Sequence, residues 1–382
     1  MKIPLAWLQL SHEKMRLLVA LAGISFADIL MFMQLGFRDA LFETNITLHK
    51  SLQGDIFLIS PQSSSVIALK SFPSRRLYQT LGFEGVESIS QVYLDFALWK
   101  NPQARNTRLI RVMGFNPADK VFNLPGVESN LDKIKLSDVV LFDQTSREEF
   151  GAVADWFDEG KDVVTEVGGR RIRVGGLFGL GASFAADGNI ITSDLNFLRL
   201  FDNRNKGLID IGIITLETGS DVALTAEKLR QELPKDVKVL SKEEFINWEK
   251  KYWQTSTAIG FVFTLGTIMG FIVGTVIVYQ ILYTDVADHL PEYATLKAMG
   301  YKNSYLLMVV FQEAIILAVI GYLPGFTIAL GMYKLTRGAT ALPVAMSLTR
   351  AITVFIITII MCCLSGAIAM RKLQAADPAD IF

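Results

Sequence analysis

The chain has 382 residues, of which 51% are hydrophobic, with a mean hydropathy of +0.35 and a formal net charge of −1. This composition excludes a disordered chain and an ordinary soluble domain, and it indicates a membrane protein. A near-zero charge without a basic block gives nucleic acid no electrostatic footprint, so we expect no nucleic-acid partner.

Four segments are long and apolar enough to cross a bilayer, since about 20 residues at about 1.5 Å rise span a hydrocarbon core of about 30 Å. We predict spans at residues 17–37, 257–282, 305–333 and 349–370. The first has too long an apolar core for a signal peptide and no small-residue cleavage site behind it. We therefore expect four retained spans, with both termini on one side.

Lys and Arg near the span ends do not settle the orientation directly, because the two sides carry seven and eight. Long domains translocate largely regardless of charge, and discounting the five that belong to residues 38–256 leaves seven against three. We therefore expect a plasma (inner) membrane protein whose cytoplasmic parts are 1–16, 283–304 and 371–382, with 38–256 and the short loop 334–348 outside.

The first span contains an acid, Asp28, near its middle. A central Asp costs about 2.5–3.5 kcal/mol on insertion scales, so it is expected to face protein or water. Glu313, in the third span, lies nearer an interface. A proton relay would need several such groups in line, and no Lys, Arg or His lies deep within a span. We favour a packed, hydrogen-bonded Asp28 over proton coupling.

Charged residues are concentrated between the first two spans. Residues 38–256 hold 27 of the 37 Lys and Arg and 30 of the 38 Asp and Glu. We predict strands at 55–60, 86–99, 209–216 and 237–240, and helices at 74–81 and 221–233, the second capped by Asp221. The middle, about 116–207, carries a hairpin and reads as an inserted subdomain. The fold class is four transmembrane helices plus a large extracytoplasmic α+β domain.

Nothing in this domain has a catalytic pattern. The glycine-rich run 175–181 lacks the spacing of a dinucleotide fingerprint and the Lys-Ser/Thr of a phosphate loop, so we expect a flexible loop. His49 is the only histidine of the domain, and Cys362 and Cys363, the only cysteines, adjoin in a span. We expect no catalytic residue and no metal site, which makes a membrane-anchored enzyme the least favoured alternative.

The segment 241–254 is amphipathic and leads into the second span, where Trp248, Tyr252 and Trp253 are placed to anchor it at the membrane surface. Within the second span, Gly266, Gly270 and Gly274 form a small-xxx-small pattern that permits close helix contact. That contact is either within the chain or at a dimer interface. A dimer is slightly favoured, because four helices are few for a transporter acting alone.

The segment 285–302 joins the second and third spans. Pro291 and Glu292 suit a helix start, and Gly300 with Lys302 suits its end, which predicts a helix of about nine residues. Tyr293, Leu296 and Gly300 share one face, and Ala294, Ala298 and Tyr301 share the next. Such a helix is too short to span, so it either lies on the membrane or inserts into a protein groove.

Residues Glu292-Tyr-Ala-Thr-Leu-Lys-Ala-Met-Gly300 resemble the signature that follows the second span in MacB/FtsX-type ABC permeases. The tail Asp377-Pro378-Ala-Asp380 resembles the terminal Asp-Pro motif of that family, and the layout of spans matches across the chain. Residues 3–10 and 32–36 look more narrowly like the DevC-type permeases of cyanobacterial heterocyst glycolipid exporters. Many members carry Arg just before the signature Glu; this chain has Pro291, so that contact is not carried over.

The resemblance implies a homodimeric permease that relays motion from two copies of a separate ABC ATPase. It implies ATPase coupling by Glu292, Tyr293, Leu296, Lys297, Met299, Gly300 and Tyr301. The chain has no phosphate-loop motif, so we expect no cofactor here, with ATP and Mg²⁺ on the partner. The implied outer domain is a MacB-like porter module with an inserted subdomain, docking a periplasmic adaptor (membrane fusion protein) and a TolC-like outer-membrane channel for lipid-like cargo.

A second function shares every one of these motifs. An FtsX-like signalling module would use its outer domain to activate a periplasmic cell-wall hydrolase without moving cargo. The export and signalling interpretations both stay open at this point.

Overall fold

The computed structural model describes residues 14–301, 303–340 and 342–374, and it leaves out the side chains of ten helical residues, Tyr293 and Lys297 among them. The motifs at 3–10 and 377–380 and Lys302 lie outside the described residues. The chain divides into two compact units. One, the polar domain, is Leu41–Ser256; the other, the membrane unit, comprises the described residues before and after it.

The described helices follow in chain order. They are α1 Lys14–Ser51, α2 Arg75–Gln79, α3 Leu131–Ile134, α4 Val153–Asp158, α5 Asp194–Leu200, α6 Val222–Glu232, α7 Lys242–Thr255, α8 Ala258–Asp288, α9 Leu290–Ala298, α10 Asn303–Thr340 and α11 Leu348–Gln374.

The described strands are β1 Ile56–Ile59, β2 Phe72–Pro73, β3 Val86–Lys100, β4 Thr107–Phe115, β5 Val139–Asp143, β6 Val164–Val167, β7 Arg170–Phe178, β8 Asn189–Ser193, β9 Leu208–Ile209, β10 Ile211–Leu216 and β11 Lys238–Ser241.

Among the residues that the structure describes, four helices are long and apolar enough to cross a membrane: α1, α8, α10 and α11. These helices are longer than the predicted spans. Hydropathy identifies only the part of a helix that is apolar enough for lipid, whereas the helix itself continues as far as its backbone hydrogen bonds do. The clearest difference is at the predicted loop 334–348, since α10 continues to Thr340 and α11 begins at Leu348.

The glycines of α8 lie against other helices of the same chain. A β-carbon added at Gly274 would lie 2.7 Å from the Ala27 β-carbon of α1 and would collide with Met361 of α11. A β-carbon at Gly266 would lie 2.7 Å from Nε2 of Gln34. The small residues therefore let α8 approach α1 and α11 closely, which is the intrachain use of the pattern.

The same device joins α1 to other helices. A β-carbon at Gly270 would come within 3.2 Å of Met31, and one at Gly321 of α10 would lie 2.9 Å from the Ile24 β-carbon. Because lipid provides no hydrophobic drive between helices, this close backbone approach is a main source of attraction in the bundle.

The polar domain is built on a nine-stranded sheet in the order β11-β1-β10-β3-β4-β8-β5-β7-β6. The long strand β3 takes part twice, since Trp99 also pairs with Val167 of β6. That pairing closes β3, β4, β8, β5, β7 and β6 into a ring. The predicted insertion 116–207 thus supplies β5–β8 to the same sheet as the flanking segments.

The sheet is covered on both faces at β1, the strand next to the edge strand β11. In β1, Ile56 and Leu58 belong to the apolar cluster that contains Leu77 of α2 and Leu229 of α6. Phe57 and Ile59 belong to a second cluster, with Leu48 of α1 and Phe245 of α7. Side chains alternate across a strand, so both faces of β1 are covered and its sequence is apolar throughout.

Two helix starts are capped by side chains, and the cap at Asp221 is the one that the sequence predicted. The Asp221 carboxylate accepts hydrogen bonds from the backbone N–H groups of Ala223 and Leu224, at 2.9 and 3.1 Å. Ser241 and Glu244 form a reciprocal capping box at the start of α7. Each cap satisfies backbone donors that a helix start leaves without partners.

The prediction of a flexible loop over 175–181 is wrong for the first half of that range, because Gly175 and Gly176 lie within β7. A β-carbon at Gly175 would lie 2.5 Å from Val139 Cγ1, and one at Gly176 would lie 2.6 Å from Asn130 Oδ1. Glycine is required there by close packing against the neighbouring segments, not by backbone freedom.

We predict that Gly274→Leu lowers the stability of the membrane unit by about 1–3 kcal/mol, because the added side chain overpacks the contact with Ala27 and Met361. The matched control is Gly331→Leu in α10, where an added β-carbon meets nothing within 4 Å. The stability of both variants is measured as the melting temperature of the detergent-solubilised chain. Equal melting temperatures for the two variants would contradict this packing.

Candidate functional site

The predicted short helix between the second and third spans is present as α9, Leu290–Ala298, nine residues long. It ends at Gly300, whose φ of +94° lies in the left-handed region that favours glycine. The backbone N–H of Tyr301 then donates a 3.1 Å hydrogen bond to the Leu296 carbonyl, which closes the last turn. The end of this helix is therefore sharply defined.

Leu296 docks α9 onto the membrane helices. Its side chain is half-buried and packs on a cluster of Val286 from α8, Val310 from α10 and Met370 from α11. The resemblance placed Leu296 among the partner-contacting residues; here it contacts the chain's own helices. We therefore assign it to positioning α9 on the ends of three spans.

Other residues of the predicted coupling set face outward. Glu292 is exposed, Met299 is 63% exposed and Tyr301 is 45% exposed. The Tyr301 ring packs on Tyr305 at a centroid distance of 4.8 Å, which extends this surface onto the start of α10. The side chains of Tyr293 and Lys297 lie outside the described residues. The accessible face of α9 therefore combines one carboxylate with apolar and aromatic groups.

An ionic junction lies just before α9. Arg16 of α1 forms an ion pair with Asp288 at 2.6 Å and lies 3.7 Å from Asp285, both near the end of α8. The His289 ring nitrogen Nδ1 lies 2.9 Å from the Asp285 carbonyl oxygen. These contacts connect α1 to the segment that leads into α9.

Glu313 is fully buried within the chain and faces Asp285, which lies near the end of α8. Sequence reasoning also missed the roles of Arg16, Asp285 and Asp288. The sequence did contain a signal for this junction. Asp285 and Asp288 are three residues apart at the end of one span, so their side chains lie on the same side of the helix. A basic residue directly before another span, on the same side of the membrane, is their natural partner.

Asp28 is fully buried between helices. The Thr358 hydroxyl of α11 donates a 2.5 Å hydrogen bond to Asp28 Oδ1. This is the packed, hydrogen-bonded arrangement that the sequence favoured over a proton relay. Nearby, the Ser25 hydroxyl donates to the Gly321 carbonyl at 3.0 Å and links α1 to α10.

A second ion pair lies at the other end of the membrane unit. Arg350 of α11 is only 7% exposed and donates to Asp39 Oδ2 from Nη2 at 2.8 Å and from Nε at 3.2 Å. Arg350 Nη1 also donates to the Ala345 carbonyl at 2.6 Å, and the Tyr333 hydroxyl donates to the Phe32 carbonyl. The helices of the unit are thus joined by polar contacts at both ends and at Asp28.

The polar domain contains a buried polar cluster of its own. The Asp143 carboxylate accepts hydrogen bonds from Thr145 Oγ1 at 2.6 Å, Asn189 Nδ2 at 2.7 Å and the Gly181 N–H at 2.9 Å. Arg111 Nε donates to Asn189 Oδ1 at 2.9 Å, and burial lowers the pKa of Arg111 to about 10. It therefore stays charged at neutral pH, beside the Asp143 carboxylate.

A second buried polar group, around Glu249, connects α1, α7 and the segment after β1. His49 Nε2 lies 3.5 Å from Glu249 Oε2, and Glu249 also accepts hydrogen bonds from the Val66 N–H and Trp253 Nε1. Within the described residues 14–301, 303–340 and 342–374, no three His, Cys, Asp or Glu side chains are grouped to hold a metal ion.

One family model matches the C-terminal part of the chain. Residues 264–378 match the family described as FtsX-like permease C-terminal, a range that begins six residues into α8 and includes α9, α10 and α11. No curated protein matches the sequence.

Two solved structures resemble part of the chain. The periplasmic region of MacB from Actinobacillus actinomycetemcomitans aligns at 10% identity, covering 52% of this chain and 92% of its own, with a TM-score of 0.36. The extracellular domain of the noncanonic ABC-type transporter YknZ from Gram-positive bacteria aligns at 13% identity, covering 49% and 100%, with a TM-score of 0.32.

We predict that Leu296→Asp destabilises the chain by about 1–3 kcal/mol, because it places a carboxylate against Val286, Val310 and Met370 without a partner. Met299→Asp, on the exposed face, should change stability by no more than about 0.5 kcal/mol. Melting of the purified chain in detergent, without any partner, compares the two. If both variants melt alike, Leu296 does not dock α9.

Proposed function

We propose that this chain, whose residues 264–378 match the FtsX-like permease C-terminal family, is the non-catalytic membrane subunit of a MacB-type ABC exporter driven by a separate ATPase. The observation that carries the proposal is α9 with the residues that follow it. Glu292 on α9 is exposed, as are Met299 and Tyr301 just after it, and Leu296 packs on three spans. A surface of this kind suits a protein groove better than the bilayer, because a carboxylate lies on it.

The contacts of α9 define how a push would be passed on. Movement of α9 is transmitted to α8, α10 and α11 through the packing of Leu296. It is transmitted to α1 through the ion pair of Arg16 with Asp288 at the end of α8. The spans then tilt as stiff levers, held together by close glycine contacts and by the Asp39–Arg350 ion pair. ATP and Mg²⁺ are bound by two copies of the partner ATPase.

The subunit is proposed to work as a homodimer. The glycine side of α8 is occupied by α1 and α11, which leaves its other side free for a second copy. That side exposes large apolar side chains, each at least 44% accessible: Phe261, Val262, Leu265, Ile268, Met269, Ile272 and Val276. Termini and α9 are placed in the cytoplasm, on the side of the ATPase.

The proposed cargo is a glycolipid or another amphiphile, taken up outside the cytoplasm and passed to a periplasmic adaptor and a TolC-like channel. Asp28, the most central acid, is enclosed by protein and pairs with Thr358, so it does not line a hydrophilic pore. The DevC-like residues 3–10 and 32–36 suggest glycolipid in particular.

We predict that Glu292→Lys and Met299→Asp each weaken ATPase association by about tenfold or more, equivalent to about 1.4 kcal/mol of lost contact. Glu292 on α9 and Met299, which directly follows α9, are both exposed, so the chain itself should stay folded. The matched control is Met15→Asp, which alters an equally accessible methionine on α1. Co-purification and ATP-driven transport in proteoliposomes are the measurements; normal association in both α9 variants would refute the coupling assignment.

The FtsX-like signalling function remains the second candidate, since the family match covers the segment that both functions use. The two functions differ in what ATP hydrolysis achieves. Export predicts ATP-dependent loss of a fluorescent glycolipid from proteoliposomes that contain the chain, the ATPase and the adaptor. Signalling predicts no loss of lipid and capture of a cell-wall hydrolase by the polar domain of the intact chain.

Deleting 116–207 cannot serve as a control in these assays, because it would remove β5–β8 from the main sheet. Point substitutions on α9 are the suitable controls, since they leave the polar domain unchanged.

A further inference from the structure

A cavity of about 250 Å³ lies where two hairpins of the polar domain meet. One hairpin is β3–β4, with its turn at 101–106, and the other is β6–β7, with its turn at 168–169. The polar side chains of the lining are Lys100, Asn101, Arg105, Thr165, Glu166 and Arg171. Three of them are basic and one is acidic, so the cavity has a net charge of +2.

The one carboxylate of the cavity already has a partner. Lys100 Nζ of β3 donates a 2.9 Å hydrogen bond to Glu166 Oε2 of β6, and the Thr165 hydroxyl donates to the Lys100 carbonyl oxygen. Arg105 and Arg171 supply the charge that is left. Within the part of the chain that the structure describes, neither guanidinium group has a hydrogen bond or an ion pair.

Most arginines of the polar domain, by contrast, have a carboxylate partner. The ion-paired ones are Arg76, Arg108, Arg147, Arg170, Arg173, Arg204 and Arg230. Two arginines without such a partner line the same cavity, where their like charges repel each other. An anion bound between them would remove that repulsion.

The backbone at Arg105 has a conformation that arginine disfavours. Its φ of +62° lies in the left-handed region, where asparagine and glycine are enriched. The turn is fixed by Asn101, whose Oδ1 accepts from the N–H groups of Gln103 and Ala104 at 2.8 and 2.9 Å. The Arg105 N–H donates to the Asn101 carbonyl at 2.9 Å. Residues held in this region cluster at binding sites, so the side chain of Arg105 explains its presence better than the turn does.

The size and charge of the cavity fit one phosphate group. A guanidinium presents a planar fork of N–H donors that binds phosphate oxygens in a bidentate way. A phosphomonoester carries about −1.5 to −2 charges at pH 7, which balances the lining, whereas a carboxylate carries only one. Pockets for drug-sized ligands occupy roughly 300–1,000 Å³, so this smaller cavity suits a single anionic group.

We propose that the cavity between the β3–β4 turn and the β6–β7 hairpin is an anion site, in which Arg105 and Arg171 bind one phosphate group. The group belongs either to soluble phosphate or to a lipid headgroup, since both present the same oxygens. The site lies within the polar domain and uses no residue of α9, so it goes beyond the export function and does not depend on ATPase coupling.

The test is calorimetric titration of the purified full-length chain in detergent with inorganic phosphate. An ionic strength of about 0.15 M limits the influence of distant charges, because the Debye length is then about 8 Å. We expect saturable binding of one phosphate per chain. Arg105→Asn and Arg171→Gln should each raise the dissociation constant by about tenfold or more, because each removes one guanidinium contact.

The matched control is Arg173→Gln. Arg173 lies two positions after Arg171 on β7, so its side chain leaves the same face of the strand. It is exposed, pairs with Asp162 at 3.1 Å and lies outside the cavity lining. This variant loses the same charge, yet its dissociation constant for phosphate should stay within about twofold of the parent value.

Arg105→Asn also separates binding from folding. Asparagine tolerates the left-handed backbone at this position, so the melting temperature of the chain should not fall although phosphate binding is lost. The proposal is overturned if phosphate shows no saturable binding, or if Arg105→Asn and Arg171→Gln bind it as the parent does. The two arginines would then be solvated charges of the hairpins.

A second titration distinguishes the two sources of the phosphate group. It uses glycerophosphoglycerol, the soluble headgroup of an anionic phospholipid. Tighter binding of this headgroup than of inorganic phosphate assigns the site to lipid, and weaker binding assigns it to soluble phosphate. In both cases the Arg105→Asn and Arg171→Gln variants must lose the binding. Because no ATPase is present, failure of the anion site would leave the coupling assignment unaffected.

Discussion

The functional arrangement depends on the packing of α9 against the membrane helices. One half-buried leucine, Leu296, holds a nine-residue helix against residues of α8, α10 and α11. Because α9 is too short to be stable alone, its position is set by this packing and by the closing turn at Gly300. A partner that displaces the exposed face of α9 would therefore also displace the three spans that Leu296 contacts.

The membrane unit meets that requirement with close backbone contact and a few ion pairs between helices. Glycines let α8 lie against α1 and α11, while Arg16–Asp288 and Asp39–Arg350 join helices at the two ends of the unit. Each charge in these pairs would be costly alone at membrane depth or at its edge, so the pairs also fix which helices are neighbours.

Sequence patterns predicted much of this structure where the signal is local. The four spans, the cap at Asp221 and the length of α9 follow from hydropathy, capping chemistry and Pro-Gly punctuation. The patterns failed where a residue's role depends on a distant partner. Gly175 and Gly176 resembled a flexible loop but belong to β7, because Val139 and Asn130 leave no room for a side chain.

By itself, the sequence determined a membrane-embedded chain with one polar α+β domain and a short helix between the second and third spans. Tertiary structure alone decided that Leu296 faces inward, that Glu313 meets Asp285, and that residues 116–207 share the main sheet. The physical reason is range: hydropathy and capping act over a few residues, whereas these contacts join segments far apart in the chain. Their energies exist only once the backbone has brought the partners together.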